Sequence, residues 1–221
     1  MMKTETILSK DVVIPMGNFV LPGKLTMPED PKGLVIFVHG TGTNIKSTRN
    51  NMISGILNDN GFGTFMFNLL TKEEDLIYAN RFDIRLLTER LIVVTGWLMG
   101  QDDARGLAVG YMSANTGAAA ALNAAAKLGY TIKAVVSRSG RPDLSLSSLD
   151  QVTAHVLLIV GGLDKDIIEL NKKAFIKIVT DKELRIVPGA SHLFEEPGKL
   201  EEVAVIASAW FEEYMTDKTQ K

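Results

Sequence analysis

The stretch Val109-Gly110-Tyr111-Met112-Ser113-Ala114-Asn115-Thr116-Gly117-Ala118-Ala119 carries the decisive pattern of this chain. A strand-like run enters small residues, turns sharply at one position, and opens a helix whose first turn is small enough to pack against a sheet. That is the form of a nucleophile elbow, usually written G-x-S-x-G. Here it reads Ser113-x-Asn115-x-Gly117, so an asparagine occupies the apex. The apex backbone of such a turn sits at positive φ, which strains most side chains. Asparagine is among the few residues besides glycine that tolerate it. Asn115 is therefore expected to keep the turn and remove the hydroxyl. Its amide both donates and accepts hydrogen bonds but holds no proton that a histidine can take near pH 7.

Working outward, the elbow needs strands on both sides, and the sequence supplies them. Upstream, Gly33 to Val38 is a continuous run of large and β-branched residues, the pattern of a strand buried on both faces of a parallel sheet. A second strand, Thr64 to Phe67, is separated from it by Met52, Ile53, Ile56 and Leu57 at helical spacing. Ile84, Leu87, Leu91, Val94 and Leu98 step by three and four, one apolar face of an amphipathic helix. Downstream of the alanine-rich helix Gly117 to Ala126 come strands at Ala134 to Val136, Val156 to Val160 and Leu184 to Val187. Helices are predicted around Ile167 to Ile178 and Leu200 to Tyr214. The start of the chain reads as a β-hairpin, Ile7 to Pro15 and Phe19 to Pro28, with Gly17 and Asn18 supplying positive φ at the turn. Strands alternating with helices predict α/β architecture: one domain over residues 1–221 with a mainly parallel sheet of about eight strands and helices on both faces. In such a sheet, chemistry belongs where strands end and loops begin.

Two strand ends downstream complete the elbow's chemistry. Asp164 follows Val156 to Val160 through Gly161-Gly162-Leu163, and His192 follows Leu184 to Val187 through Pro188-Gly189-Ala190-Ser191. The order apex, acid, histidine is that of the α/β-hydrolase fold. In it the acid orients the imidazole, which takes the proton of the nucleophile. Asp166 competes with Asp164 but is suited to opening the next helix. Gly40 and Thr41, after the Leu34 to Val38 strand, and Thr116, after the apex, are expected to turn backbone N–H groups toward an oxyanion. Arg138 and Arg141 follow a strand end near the expected pocket mouth and are candidates for binding an anionic substrate group. The plainer reading is an internal ion pair with Asp143 that holds the loop. His39 is read as shaping the oxyanion loop, His155 as structural, and Glu73, Glu74 and Asp75 as a solvated acidic cluster.

Composition narrows the function classes. The 221 residues are 46% hydrophobic and 23% charged, with a formal net charge of −2 and no cysteine. No disulfide, thiolate metal site or cysteine nucleophile is therefore possible. With only three histidines, and none at ligand spacing, no metal is expected. Gly40-x-Gly42 lacks the third glycine and acidic partner of a dinucleotide fingerprint, so no cofactor is expected either. There is no basic excess to release counterions, which argues against nucleic acid as a partner. Lys3, Glu5 and Lys10 interrupt the N-terminal residues, and no stretch is apolar enough to span a bilayer. A cytoplasmic protein with a small-molecule substrate or ligand is expected. Nothing in the sequence speaks to oligomeric state.

Nearly the whole chain, from Val12-Val13-Ile14-Pro15 to Trp210-Phe211, resembles the dienelactone-hydrolase-like branch of the α/β-hydrolases. It is most similar there to the small hydrolases also found fused to phosphoribosyltransferase domains. The resemblance rests on Val38-His39-Gly40-Thr41-Gly42, Arg49-Asn50, Leu69-Leu70-Thr71, Arg81-Phe82-Asp83-Ile84 and the helix opening Thr116-Gly117-Ala118-Ala119. It extends through Gly140-Arg141-Pro142-Asp143-Leu144, and above all through Pro188-Gly189-Ala190-Ser191-His192-Leu193-Phe194-Glu195-Glu196-Pro197-Gly198. It implies hydrolysis of a carboxylic ester or lactone, with a cysteine or serine nucleophile. This chain departs from that pattern at Asn115 for serine, Ser113 for glycine, Ile45 for arginine and Asn68 for aspartate. Four readings follow for Asn115. The chain is a natural pseudo-hydrolase that binds a ligand, a mutated hydrolase, a hydrolase using Ser113 instead, or one in which Asn115 deamidates to a nucleophilic aspartate. The clustered departures favour natural divergence.

Overall fold

A computed structural model describes residues 7–39 and 46–216. The first two strands form an antiparallel hairpin, β1 (Leu8–Pro15) with β2 (Val20–Met27). Gly17 takes φ 80° in its turn, and Met16 N–H bonds Phe19 O. Asn18, expected to share the positive φ, does not, because the four-residue connection needs one left-handed residue rather than two.

The remaining strands are β3 (Leu34–His39), β4 (Gly63–Phe67), β5 (Val109–Asn115), β6 (Ile132–Gly140), β7 (His155–Gly161) and β8 (Lys182–Val187). They join the hairpin in one eight-stranded sheet of order β1-β2-β4-β3-β5-β6-β7-β8, parallel from β4 to β8. Every residue of β3, at the centre, is buried, as its unbroken apolar run requires. The chain leaves β3 for β4 on one side and then returns to β5 on the other. This reversal of strand order opens a crevice at the C-terminal ends of β3 and β5, where α/β sheets place their ligands.

Two helices, α1 (Thr48–Asp59) and α6 (Lys199–Met215), cover one face of the sheet. They pack on Val35, Phe37, Met112, Val136 and Leu157. The other face is covered by α3 (Ile84–Met99), α4 (Thr116–Leu128) and α5 (Lys165–Lys177). Each fully buried Leu, Val or Phe in these layers contributes roughly 1.5–3 kcal/mol. The alanines of α4 let the helix axis approach the sheet closely. A Cβ built on Gly140 would stand 2.4 Å from the Ala118 Cβ, so that contact has no room for larger residues.

A short helix, α2 (Lys72–Leu76), and a 3₁₀ turn over Tyr78–Phe82 precede α3. They correct the reading of Glu73, Glu74 and Asp75 as a merely solvated cluster. Glu74 forms a capping box with Thr71 and bonds the Arg90 guanidinium twice, at 2.9 and 2.8 Å. Arg90 is buried on α3, and a buried cation must be met by a charge. Asp75 in turn pairs with Arg81. Among the described residues, no helix is long and apolar enough to cross a membrane.

Candidate active site

Asn115 ends β5 at φ 51°, ψ −131°, and Thr116 starts α4, so the strand, sharp turn and helix of the elbow are all present. Asn115 occupies the N-cap position of α4, and Asp164 the N-cap of α5. Asn and Asp are strong capping residues, and a cap is typically worth about 1 kcal/mol. Neither side chain caps its helix. Both turn to the same imidazole: His192 Nδ1 stands 2.5 Å from Asp164 Oδ2, and Nε2 stands 3.0 Å from Asn115 Oδ1. With Nδ1–H donated to the carboxylate, the Nε2 of the neutral ring is an acceptor. The Asn115 amide meets it through Nδ2–H once its O and N are exchanged, two atoms alike in shape. Asp166 is exposed in the first turn of α5, so Asp164 is the carboxylate that faces the ring.

The loop carrying His192 is held by groups that the sequence reading did not single out. The Glu196 carboxylate accepts the Ser191 N–H through both oxygens, at 3.1 and 3.0 Å, and this bond holds its pKa below the usual glutamate value. Glu195 pairs with Arg49 of α1 at 3.2 Å. Phe194, buried at φ 56°, turns the chain between Ser191 and the two glutamates. Only the Glu195-Glu196 pair just after the histidine hinted at these ties.

Ser113 is 2% exposed and donates its hydroxyl to Val136 O at 2.9 Å, inside the sheet. Thr116 is buried, and its Oγ1 donates to Arg81 O at 3.2 Å, tying the 3₁₀ turn to the elbow. As the first residue of α4, its N–H is one of those without an intrahelical acceptor. Gly40 and Thr41 lie outside the described residues. Arg141 lays its guanidinium on Asp143 through two bonds of 2.8 Å, the internal pair expected from sequence. Arg138 does not share in it. It is buried, and its pKa is lowered to about 10, through burial first and the Arg49 charge second. His155 stacks on Tyr214 with ring centroids 3.9 Å apart, in keeping with a structural role.

His39 is 4% exposed, and neither ring nitrogen has a hydrogen-bond partner among the described residues. Burial, reinforced by the Arg138 charge, lowers its pKa from 6.5 to about 4. The folded state therefore resists a proton that the unfolded chain accepts between these values. The resulting stability is complete above about pH 6.5 and is lost as pH falls toward 4. Urea unfolding at about pH 7.5 and about pH 4.5 measures this directly. The drop in stability between the two should be smaller by about 2 kcal/mol in His39→Gln than in the unaltered chain. An equal drop in both proteins would show that His39 titrates normally.

Comparison with known proteins gives one consistent result. Two relatives, both from Mycobacterium tuberculosis and both provisionally named phosphoribosyl transferases, are 50% identical over 206 residues, 93% of this chain. The chain spans 46% of the length of those relatives. A crystal structure of dienelactone hydrolase from Anabaena variabilis shares 45% identity and a TM-score of 0.91, covering 95% of this chain and 99% of that one. Est1E from Butyrivibrio proteoclasticus, at 15% identity and a TM-score of 0.77 over 92% of this chain and 98% of its own, shares the fold alone. The family model for dienelactone hydrolases matches residues 21–215, from the first core residues of β2 to the end of α6, and the chain belongs to the dienelactone hydrolase family.

Proposed function

We propose that this chain has the site of a carboxylic ester or lactone hydrolase and lacks its attacking group, so that turnover through an acyl-enzyme is very low or nil. The observation that carries this reading is the one imidazole standing between Asn115 and Asp164, at 3.0 and 2.5 Å. His192 is the base and Asp164 its orienter. Backbone N–H groups of Gly40, Thr41 and Thr116 are the oxyanion donors. Asn115 holds the nucleophile position with an amide, which has no proton for His192 to remove and forms no ester with an acyl group. Ser113 is no substitute, because its hydroxyl is enclosed and already donated to Val136 O.

The same amide supports a second reading, a binding protein that uses the old pocket. Asn115 presents both a donor and an acceptor at the point where a substrate carbonyl would arrive, and it binds without reacting. A fluorophosphonate probe with p-nitrophenyl acetate hydrolysis tests the first reading on the unaltered chain. No labelling and no turnover above buffer are expected. Labelling at Ser113 would show that the elbow is misplaced. A small ester that raises the melting temperature of the unaltered chain and is not hydrolysed would support the second reading.

A further inference from the structure

The segment from Leu76 to Phe82, between α2 and α3, inverts the usual division of a surface turn. Its polar side chains are used internally. Asn80 donates to Glu74 O at 2.9 Å, and Arg81 bonds both the backbone oxygen of Asp75, at 2.9 Å, and its carboxylate, at 3.1 Å. Asp83, the next residue, caps α3 through Leu86 N–H. The apolar side chains are the ones in water: Tyr78 is 70% and Phe82 46% exposed, with Leu76 and Ile77 exposed beside them. The two rings stand 5.1 Å apart, centroid to centroid, and form one surface. Apolar residues exposed singly need no explanation, but a contiguous apolar surface on a turn held this firmly marks a place where something binds.

That surface is joined to the elbow. Thr116, one residue past the apex, donates its hydroxyl to Arg81 O, directly before Phe82. On the other side of the apex, Arg141 N–H bonds Asn115 O, and the 3₁₀ turn that follows, Pro142–Ser145, leaves Leu144 exposed. Leu163, 64% exposed, immediately precedes Asp164. Apolar side chains are thus presented by the segments that follow β4, β6 and β7, at the end of the sheet where the apex stands.

The arginines of that end are already occupied. Arg81 is offset by Asp75, Arg141 by Asp143 and Arg49 by Glu195, at 3.0, 2.8 and 3.2 Å. Arg138 is enclosed. Lys165, the first residue of α5, lies in sequence between Asp164 and Asp166, and residues 40–45 carry no charged side chain. A carboxylate arriving at the apex therefore meets no accessible guanidinium without a counter-charge, and it would lose water without gaining a partner.

We propose that the ligand of this site is a neutral molecule with an aromatic body, its ring laid against Tyr78 and Phe82 and its carbonyl reaching Asn115. Ring faces and edges pair favourably with other rings, which selects an aromatic body over a short aliphatic one. This names a ligand class for the site proposed above, and it rests on that reading for the place of the site and not for turnover.

The test is a ¹H–¹⁵N NMR titration of the full, unaltered chain with N-methylbenzamide, an aryl carbonyl compound with no ester bond to lose. Saturable shifts are expected at residues 78–82 together with Asn115 and His192. Adding a carboxylate at the 4-position of the ring should weaken binding by roughly tenfold, and so should Tyr78→Ala or Phe82→Ala. N-methylacetamide, which lacks the ring, should not saturate over the same range. Tyr78→Phe, which keeps the ring, and Tyr130→Ala, at the opposite end of the sheet, should bind as the unaltered chain does. The same spectra report whether each variant is folded.

Hydrolysis of p-nitrophenyl acetate by Asn115→Ser separates this inference from the hydrolase reading. Turnover without saturable ring binding overturns the ligand class and leaves the hydrolase reading standing. Ring binding without turnover supports the ligand class and counts against the hydrolase reading. The ligand class also falls if the carboxylated ring binds as tightly as the neutral one, or if shifts at 78–82 come without shifts at Asn115 and His192. A dimer in sedimentation that Tyr78→Ala dissolves would overturn it as well, by giving the surface to a second copy of the chain.

Discussion

Asn115→Ser is expected to raise hydrolysis of p-nitrophenyl acetate by roughly a thousandfold or more, because on the proposed reading the apex lacks a hydroxyl beside a His192 and Asp164 that already stand together. The backbone at position 115 already has the elbow conformation, at φ 51°, and asparagine gains no capping bond there that serine would forfeit. Serine Oγ is one bond shorter in reach than Asn115 Oδ1, which stands 3.0 Å from His192 Nε2. The new hydroxyl therefore sits somewhat farther from the ring, within the looser range common in unliganded hydrolases. His192 needs no rearrangement to act as base, since Asp164 holds Nδ1 at 2.5 Å. The variant should also react with a fluorophosphonate, and peptide mapping should place the label at residue 115. Adding His192→Ala should abolish both gains while the Tm of the variant stays close to that of its parent. A well-folded Asn115→Ser protein with neither activity nor label would sink the hydrolase reading. The site would then have diverged further than the apex alone, as the departures at Ser113, Ile45 and Asn68 allow.

The arrangement behind this expectation was legible because it depends on order and on strand ends. β3 and β7 are continuous apolar runs with only one plausible place, buried between neighbours, and Asp164 and His192 follow their strands after short glycine-bearing turns. Asn115 announced itself by breaking a pattern that the residues around it kept. Pairings between distant positions were not legible. Glu74 and Arg90 are 16 residues apart on different helices, and nothing in the local acidic run distinguishes the glutamate that meets the buried arginine from its solvated neighbours. Arg138 was even less readable. It lies close to Arg141 and Asp143 in sequence, yet Arg141 takes Asp143 while Arg138 reaches Asn50 of α1. Charge balance in a core is set by which residues the sheet brings face to face, and that register is invisible in local spacing.

Gly161→Ala should be the most damaging of the small substitutions, costing about 3 kcal/mol of stability and lowering Tm by roughly 6–12 °C. A Cβ at this position would stand 2.3 Å from Ser191 O, 2.5 Å from Ala190 O and 2.9 Å from Ser191 C. All three atoms belong to the backbone, so no side chain can swing aside. The end of β7 and the loop carrying His192 are laced together around this glycine, with Gly162 N–H bonding Val187 O at 2.8 Å and Leu163 N–H bonding Ala190 O at 3.0 Å. A methyl group must push these segments apart. Asp164, whose N–H bonds Gly161 O, moves with one segment, and His192 moves with the other. The substitution therefore acts on stability and on the site through the same displacement. In an Asn115→Ser background it should cut kcat at least tenfold with little change in KM, because it misplaces the base rather than the binding surface. Gly96→Ala supplies the contrast. That glycine lies inside α3 with open space where a Cβ would go, so alanine should stabilise the helix by up to about 1 kcal/mol. If Gly161→Ala instead unfolds within about 2 °C of the unaltered chain, the Asp164 and His192 loops are not wedged against each other. The close approach that aligns the imidazole with Asp164 would then have to be held by the Glu196 and Arg49 ties alone.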